Sequence, residues 1–346
     1  MVSVLITTYN SARVLAACLS SLAQQDYRPL EVIIIDNSST DTTRQLLARL
    51  REPYRVFYNE SNLGFAAAQN QAMRRARGEW LLTLNPDVVL SPNFISELVA
   101  ASEAGPRIAV VCGKLLRWRP GENPERTNVL DSTGIYFLRN LRHLDRGAEE
   151  PDRGQYDQPE YVFGASGAAV LYRRSAVEDI SVDGQFFDED FFAYREDADV
   201  SWRAQLMGWR CLYTPRAVAW HVRRVTPSRF KELPLVINWH SVKNRFLMRA
   251  KNMSLPLYVR LFLPVTWRDA MILGYCVFVN RKLLSAFYFL WRRRQAILEK
   301  RRWIQSHRRV SDRALARWFS NRPVSFPLEP AQEKRGVDSL RAARVE

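Results

Sequence analysis

Acidic side chains cluster where chemistry is done in this sequence. Asp36 closes the apolar run Leu30–Ile35, Asp87 ends the tripeptide Asn85-Pro86-Asp87, and Glu196-Asp197-x-Asp199 follows Asp188, Glu189 and Asp190. Carboxylate oxygen is the donor that a hard divalent cation prefers, and a carboxylate beside a hydroxyl acts as a general base. One histidine stands out, His221 in Ala219-Trp-His-Val222; a neutral imidazole is a usable ligand for Mn²⁺. Each feature also has a plainer reading. A strand-end Asp caps a helix, and Asn-Pro-Asp makes a surface turn. Acids at a helix start satisfy its dipole, and Asp199 and Arg203 form an i,i+4 pair. A His after an apolar stretch serves as a satisfied structural residue.

The elements that must position these residues alternate regularly. Val2–Thr7, Leu30–Ile35, Arg55–Tyr58 and Trp80–Leu84 read as strands. Helices are expected from Asn10 or Ser11 to about Gln25, from Thr40 to Arg51, and from Phe65 to Arg77, where Gly78 stops the last. This alternation predicts a mostly parallel α/β sheet with helices on both faces. Ligands then lie outside the carboxyl ends of the strands, here at residues 7–10, 36–38 and 85–87. Residues 113–162 read as extended strands and loops. Gly164-Ala-Ser-Gly167 is a small-residue turn feeding a strand, and a helix follows the acidic cluster. Beyond His221 the pattern is helical and basic, broken at Pro227, Pro234, Pro256 and Pro264.

Composition narrows the class. The chain has 346 residues, 47% hydrophobic and 25% charged, which is globular rather than disordered. Cys18, Cys112, Cys211 and Cys276 include no C-x-x-C pair, against a disulfide scaffold or a cysteine zinc site. The net charge of +15 is uneven: residues 1–220 carry −4 and residues 221–346 carry +19. Such asymmetry points to an anionic partner, namely nucleic acid, a membrane surface or an anionic substrate; a solvated helical face is the alternative. No G-x-G-x-x-G, Walker loop, H-E-x-x-H or G-x-S-x-G occurs. A strand starts at once, so no signal peptide and a cytoplasmic location are expected.

Five motifs occur in order: Val4-Leu-Ile-Thr-Thr-Tyr-Asn10, Glu31 to Asp41, Asn62-Leu-Gly64 to Asn70, Leu84-Asn-Pro-Asp87 and Glu196-Asp197. Together they resemble the family 2 glycosyltransferases of the GT-A fold, in particular the bacterial rhamnosyltransferase-like branch, over about residues 1–225. The resemblance implies an inverting transfer from a nucleotide sugar, dTDP-rhamnose or a UDP-sugar, to a hydroxyl of a glycan or polyprenyl-linked acceptor in bacterial cell-surface polysaccharide synthesis. It assigns base reading to Asp36, packing of base and ribose to Thr8, Tyr9 and Asn10, and the nucleotide border to Asn62, Gly64 and Asn85. Asp197 becomes the catalytic base, with Glu196 as its partner. Asp87 holds Mg²⁺ or Mn²⁺, and His221 compensates for Asn85, which stands where the family carries the first Asp of D-x-D. Gly164, Ser166 and Gly167 line the donor and acceptor pocket. Asp188, Glu189 and Asp190 fall in a loop on the acceptor side. The Q-x-x-R-W signature of processive relatives is missing, which implies one sugar per acceptor, or at most a few.

The tail, residues 226–346, forms a second, basic helical region beyond the catalytic domain at 1–225. Leu255–Trp291 alternates apolar blocks with Arg260, Arg268, Arg281 and Lys282, interspersed with aromatics. Its longest uncharged run, Ala270–Asn280, is shorter than the ~20 residues of a spanning helix. Basic amphipathic helices of this kind lie in a membrane interface, here the inner face of the cell membrane; packing on the domain or a homodimer seam is the alternative. A competing function is nucleic-acid binding through Arg292–Trp303, with a degenerate nucleotide-binding domain in front. The motif series, intact apart from Asn85, favours the transferase, with no nucleic-acid partner.

Overall fold

β-Branched and leucine-rich runs build the centre of the molecule, because each is buried on both faces. In the computed structural model, which describes residues 1–121, 124–223 and 234–328, strand β1 (Val2–Thr8) is buried along its whole length and β2 (Leu30–Asp36) along its last five residues. With β3 (Tyr54–Tyr58) and β4 (Trp80–Leu84) they make the parallel half of one sheet, in the order β4-β1-β2-β3. The other half is mixed. Strand β6 (Ile108–Arg119) leads to β7 (Glu125–Ser132), and a small ribbon follows as β8 (Ile135–Phe137) and β9 (His143–Asp145). Strand β11 (Ala169–Arg173) runs antiparallel between β4 and β6, and β12 (Arg210–His221) runs parallel to β6. Short β5 (Val88–Leu90) pairs with the end of β12, β7 pairs with β6, and β10 (Glu160–Val162) and β13 (Ser325–Pro327) complete the eleven-stranded sheet.

Helices cover both faces: α1 (Ala12–Ala23), α2 (Thr43–Leu47), α3 (Phe65–Arg75), α4 (Phe94–Ser102), α5 (Arg174–Ile180) and α6 (Glu196–Leu206). The α/β architecture expected from the sequence is present, with two local differences. Helix α2 is shorter than the 40–51 span. The side-chain oxygen of Asn10 accepts from the backbone N–H groups of Thr40 and Asp41, at 2.8 and 3.3 Å, so the chain cannot turn helical until after them. Strand β12 escapes a pattern reading because Pro215 interrupts it; the pairing with β6 shifts register between Tyr213 and Val218 to pass the proline.

The tail continues as α7 (Leu235–Asn252), α8 (Leu255–Arg260), α9 (Phe262–Gly274), α10 (Ser285–Arg292), α11 (Arg294–His307) and α12 (Asp312–Ala316). The 225/226 boundary and the break at Pro227 lie outside the described residues. Helices α7 and α11 share a core with α6: Trp202, Leu206, Leu247, Met248, Ile297 and Ile304 are buried together. Inside it sits an ion cluster. Lys251 pairs with Asp188 and Asp199, Lys300 with Asp188 and Asp190, and Asn252 donates to Asp199 at 2.7 Å. The acidic residues 188 and 190 are therefore anchors for the tail rather than free loop acids. Burial raises the Asp188 pKa, but the two lysines outweigh it and hold the carboxyl well below the usual range.

Buried pairs are costly to break from one side. Lys251→Met is expected to destabilise the chain by about 3–5 kcal/mol in denaturant melts. Because Asp188 has a depressed pKa, its contribution is present above the ordinary carboxylate pKa and lost on acidification. Stability of the parent should therefore fall below about pH 4, and K251M should show a weaker fall.

Candidate active site

The pairing of β5 with β12 brings two distant sequence motifs together. Val88 sits opposite His221, and Asp87 accepts through its backbone oxygen from Val222 N–H at 3.1 Å. This register leaves His221 Nε2 3.6 Å from Asp87 Oδ1. On the other side of the ring, Nδ1 lies 2.8 Å from Asp131 Oδ2. Asp131 is fully buried and also holds Arg223 at 2.9 Å. Burial disfavours the imidazolium, but Asp131 and then Asp87 outweigh it and raise the His221 pKa. A carboxylate that accepts from Nδ1–H fixes the tautomer and turns the Nε2 lone pair outward. Oxygen from Asp87 and nitrogen from His221 form a donor set that suits Mn²⁺ or Mg²⁺. Among the described residues no group of three His, Cys, Asp or Glu closes a metal site.

A single dipeptide links this turn to the acidic pair. Ala168 accepts from Asn85 N–H at 2.8 Å, and the preceding Gly167 N–H donates to Asp197 Oδ2 at 3.0 Å. Asp197 Oδ1 accepts from Ala198 N–H at 2.7 Å in the first turn of α6. Its neighbour Glu196 is buried, and its Oε2 has no hydrogen-bond partner. Burial raises both carboxyl pKa values, and the negative charge of Asp197 pushes Glu196 further up. The N–H groups of Gly167 and Ala198 favour the ionised form of Asp197, whereas at Glu196 burial and the Asp197 charge outweigh its single backbone bond, so Glu196 holds the proton while Asp197 ionises. Gly164 works differently from a pocket wall: a Cβ there would fall 2.1 Å from Ser201 Oγ, so the position exists to let the turn close on α6. Ser166 is buried beside it.

The nucleotide-side residues form a second constellation, at the ends of β1 and β2. Asp36 is fully buried. Its oxygens accept from Thr8 Oγ1 (3.0 Å), Ser39 Oγ (2.5 Å), Ser39 N–H (3.1 Å) and Arg44 Nε (2.8 Å). All four acceptor directions are filled, so Asp36 reads a base only when one partner gives way; Arg44, with a side chain 44% exposed, is the one free to do so. Tyr9 stands exposed beside this turn, and Asn10 ties it to Thr40 and Asp41. Asn62 accepts from Asn37 Nδ2 at 2.9 Å and from Gly64 N–H at 2.9 Å. Gly64 has φ +85°, and a Cβ would strike Phe192, so only glycine fits. Asn70 binds the backbone of Phe187 in both directions, which ties α3 to the acidic loop.

Three contributors escape a sequence reading. Asn37 joins Asn59, Asn62, Leu63 and Gly64, and its place beside Asp36 was the available signal. Asp131 lies 90 residues from His221 in the irregular segment and carries no local signal. Arg195, just before Glu196, takes φ +72° and donates to His143 Nδ1 at 2.9 Å.

Comparison with known proteins gives a consistent picture. The sequence description of glycosyl transferase family 2 matches residues 3–181. N-acetylglucosaminyl-diphospho-decaprenol L-rhamnosyltransferase of Mycobacterium tuberculosis is 29% identical over 246 residues, 65% of this chain and 77% of that protein. Poly-beta-1,6-N-acetyl-D-glucosamine synthase of Staphylococcus aureus is 25% identical over 273 residues, 75% of this chain and 60% of its own length. Among solved structures, GalNAc-T7 with UDP, GalNAc and Mn²⁺ superposes with a TM-score of 0.56 at 14% identity, over 82% of this chain and 58% of that one. The shared fold is GT-A.

A buried carboxyl with a raised pKa lowers stability as pH rises past its ordinary value, because the unfolded chain ionises there first. Glu196→Gln cannot ionise. Its melting temperature relative to the parent is expected to be higher at pH 8 than at pH 4.

Proposed function

Because the chain belongs to glycosyl transferase family 2, we propose that it is an inverting, non-processive enzyme moving rhamnose from dTDP-rhamnose, or a sugar from a UDP-sugar, to a lipid-linked glycan. The observation that carries this reading is the Gly167-Ala168 dipeptide, bonded to Asp197 on one side and to the Asn85-Pro86-Asp87 turn on the other. In this reading the dipeptide holds the base beside the turn that would meet the diphosphate. The name of the mycobacterial relative supports rhamnose and a diphosphate-linked acceptor, and with them a role in bacterial cell-surface polysaccharide synthesis.

In this reading Tyr9 stacks on the base, Thr8, Asn10 and Asp36 shape the ribose and base turn, and Asn62 and Gly64 border it. Asp197 takes the proton of the acceptor hydroxyl. The hydroxyl oxygen bonds to the anomeric carbon from the face opposite the diphosphate, and the bond from that carbon to the diphosphate oxygen breaks. Glu196, protonated, leaves the negative charge on Asp197. Asp87 and His221 would hold Mg²⁺ or Mn²⁺, whose charge neutralises the departing nucleoside diphosphate.

The tail supports a membrane location on the inner face of the cell membrane. Helix α9 is inside out: Asp269 faces the body and binds Arg245 at 3.0 Å and also Arg249, whereas Leu263 (76% exposed) and Trp267 (72%) face outward, as does Phe278 (85%) in the π-helical turn that follows. Phe262–Val279 has a mean hydropathy of 1.3 over 18 residues, of which 11% is buried. Exposed Arg260, Arg281, Lys282 and Arg292 surround this surface, which favours an anionic bilayer over a second copy.

Two experiments test these readings. Asp197→Asn should reduce transfer by at least about 10²-fold with nucleotide affinity unchanged in calorimetry; near-parental turnover would remove the base. Full-length protein should float with phosphatidylglycerol vesicles and leave them at high salt, and a Trp267→Asp, Phe278→Asp variant should stay behind. A parent that dimerises and ignores vesicles would make the surface a seam between copies.

A further inference from the structure

A belt of arginines lies beside the acidic pair, outside the nucleotide side of the site. Arg195 directly precedes Glu196 and donates to His143 Nδ1 at 2.9 Å and to Ser241 Oγ at 3.2 Å. Burial holds the His143 pKa well below its ordinary value, and four arginines push it further down, so the ring is neutral and accepts. Arg245, one turn further along α7, donates to the backbone oxygens of Leu141 (3.0 Å) and Asn140 (2.8 Å), which brings it against the turn that carries Arg142. Arg268 of α9 is placed in the group by its neighbour Asp269, which binds Arg245 and Arg249, and burial and then the charge of Arg142 lower its pKa. Asp269 is shared by Arg245 and Arg249. Among the described residues Arg142, Arg195 and Arg268 form no ion pair with a carboxylate.

This arrangement is costly unless an anion completes it. Burial and then Arg245 lower the Arg195 pKa to about 9, and burial and then Arg268 lower that of Arg245 to about 10. Arginine stays protonated in proteins; Asp197 offsets part of the cost at Arg195 and Asp269 pairs with Arg245, yet burial and the neighbouring arginines still outweigh them. The left-handed backbone of Arg195 is a further sign that the side chain is held in place for a purpose.

The same stripe leads to an apolar groove. Ser241, Arg245 and Arg249 recur every four residues on one face of α7, and Met253 continues the row past the helix end. The row covers ~18 Å. Its far half lines a groove of 520 Å³ whose apolar walls include Phe246, Met253, Leu290 and Leu298, with Arg249, Arg294 and Arg301 also in its lining. Cations by the acidic pair and, along the same face of α7, a largely apolar groove match one chemical class: an isoprenoid diphosphate. We propose that Arg142, Arg195, Arg245 and Arg268 bind the diphosphate of the acceptor lipid while the groove beyond Arg249 takes the first part of its hydrocarbon chain. This rests on the glycosyltransferase reading and gives its acceptor an address distinct from Asp87 and His221. The sugar between the diphosphate and Asp197 would then present its hydroxyl to the base.

The probe is farnesyl diphosphate, titrated into the full chain by calorimetry with EDTA present, alongside inorganic pyrophosphate, farnesol and phosphatidylglycerol vesicles. Farnesyl diphosphate is expected to bind more tightly than either half. An Arg142→Gln, Arg268→Gln variant should weaken it at least about tenfold, as lost charge-assisted bonds do, with melting temperature and dTDP or UDP affinity in Mn²⁺ unchanged. Leu298→Glu, at an exposed groove position, should weaken farnesyl diphosphate but not pyrophosphate. Parental affinity in both variants would overturn the proposal. So would displacement of farnesyl diphosphate by nucleotide, which would put the diphosphate in the donor site. A variant that loses vesicle binding but keeps farnesyl diphosphate would reassign the arginines to general lipid headgroups and overturn it as well. A parent that holds farnesyl diphosphate through these arginines but binds no nucleotide would overturn the transferase reading and leave this site standing.

Discussion

Four charges buried where water cannot reach them hold this molecule in its working shape. Asp188 and Asp199 flank the loop that ends in Glu196-Asp197, and Lys251 and Lys300 come to them from two helices of the tail. Neither set is tolerable alone in that interior, since desolvation of an unpaired ion costs several kcal/mol. Arg203 closes the cluster by bonding Asp199 at 3.0 Å and reaching the backbone oxygens of Ile180 and Phe186. The acidic loop is thus clamped from the sheet side by Asn70 and from the tail side by lysine. Asp197 has a fixed position because both ends of its loop do.

A second constraint acts on the opposite wall. Strand β12 is long enough to pair with β10 near its start and with β5 at its end. The last of these pairs sets His221 against Asp87. Asp131 arrives from β7, itself paired to β6 beside β12. A shift of one residue in β5 would turn the side chain of Asp87 to the other face of the sheet. The Asp87–His221 pair is therefore a consequence of strand register, while the acidic pair is a consequence of ion pairing. The Gly167-Ala168 dipeptide is where the two walls meet.

The sequence made the parallel half of the sheet legible because period and turn chemistry agree there: apolar strands end in Thr8, Asp36 and Leu84, each followed by residues that cannot continue a strand. The Asp87–His221 approach was legible only through a family resemblance, since 134 residues separate them and no local pattern links them. Asp131 was not legible at all. Its role depends on a hairpin whose side chains show no clean alternation. Pro215 concealed β12 for the reason that prolines usually exclude strands, and the register shift beside it is the local solution. Asp36 illustrates the converse case. Its position at a strand end was plain, but three of its four hydrogen bonds, from Ser39 and Arg44, depend on how residues 37–44 fold back, and that is tertiary information.

Charge asymmetry along the chain takes on two meanings in the folded state. The tail carries +19 and the first 220 residues −4. Part of that excess never faces an outside partner, because Lys251, Lys300 and Lys243 are buried against the acidic loop, the last donating to backbone oxygens of Asp190 and Phe191. Another part, on Arg260, Arg281, Lys282 and Arg292, is exposed around the apolar surface. A solvated helical face would scatter such charges evenly and turn its apolar side inward. Here the internal cations do the work of a core, and the external ones ring hydrophobic side chains that water does not favour. The helix that presents the apolar surface, α9, is tied through Asp269 to Arg245 and Arg249 of α7, and α7 in turn carries Lys251 to the acidic loop, so surface and loop are joined by ion pairs within one packed unit.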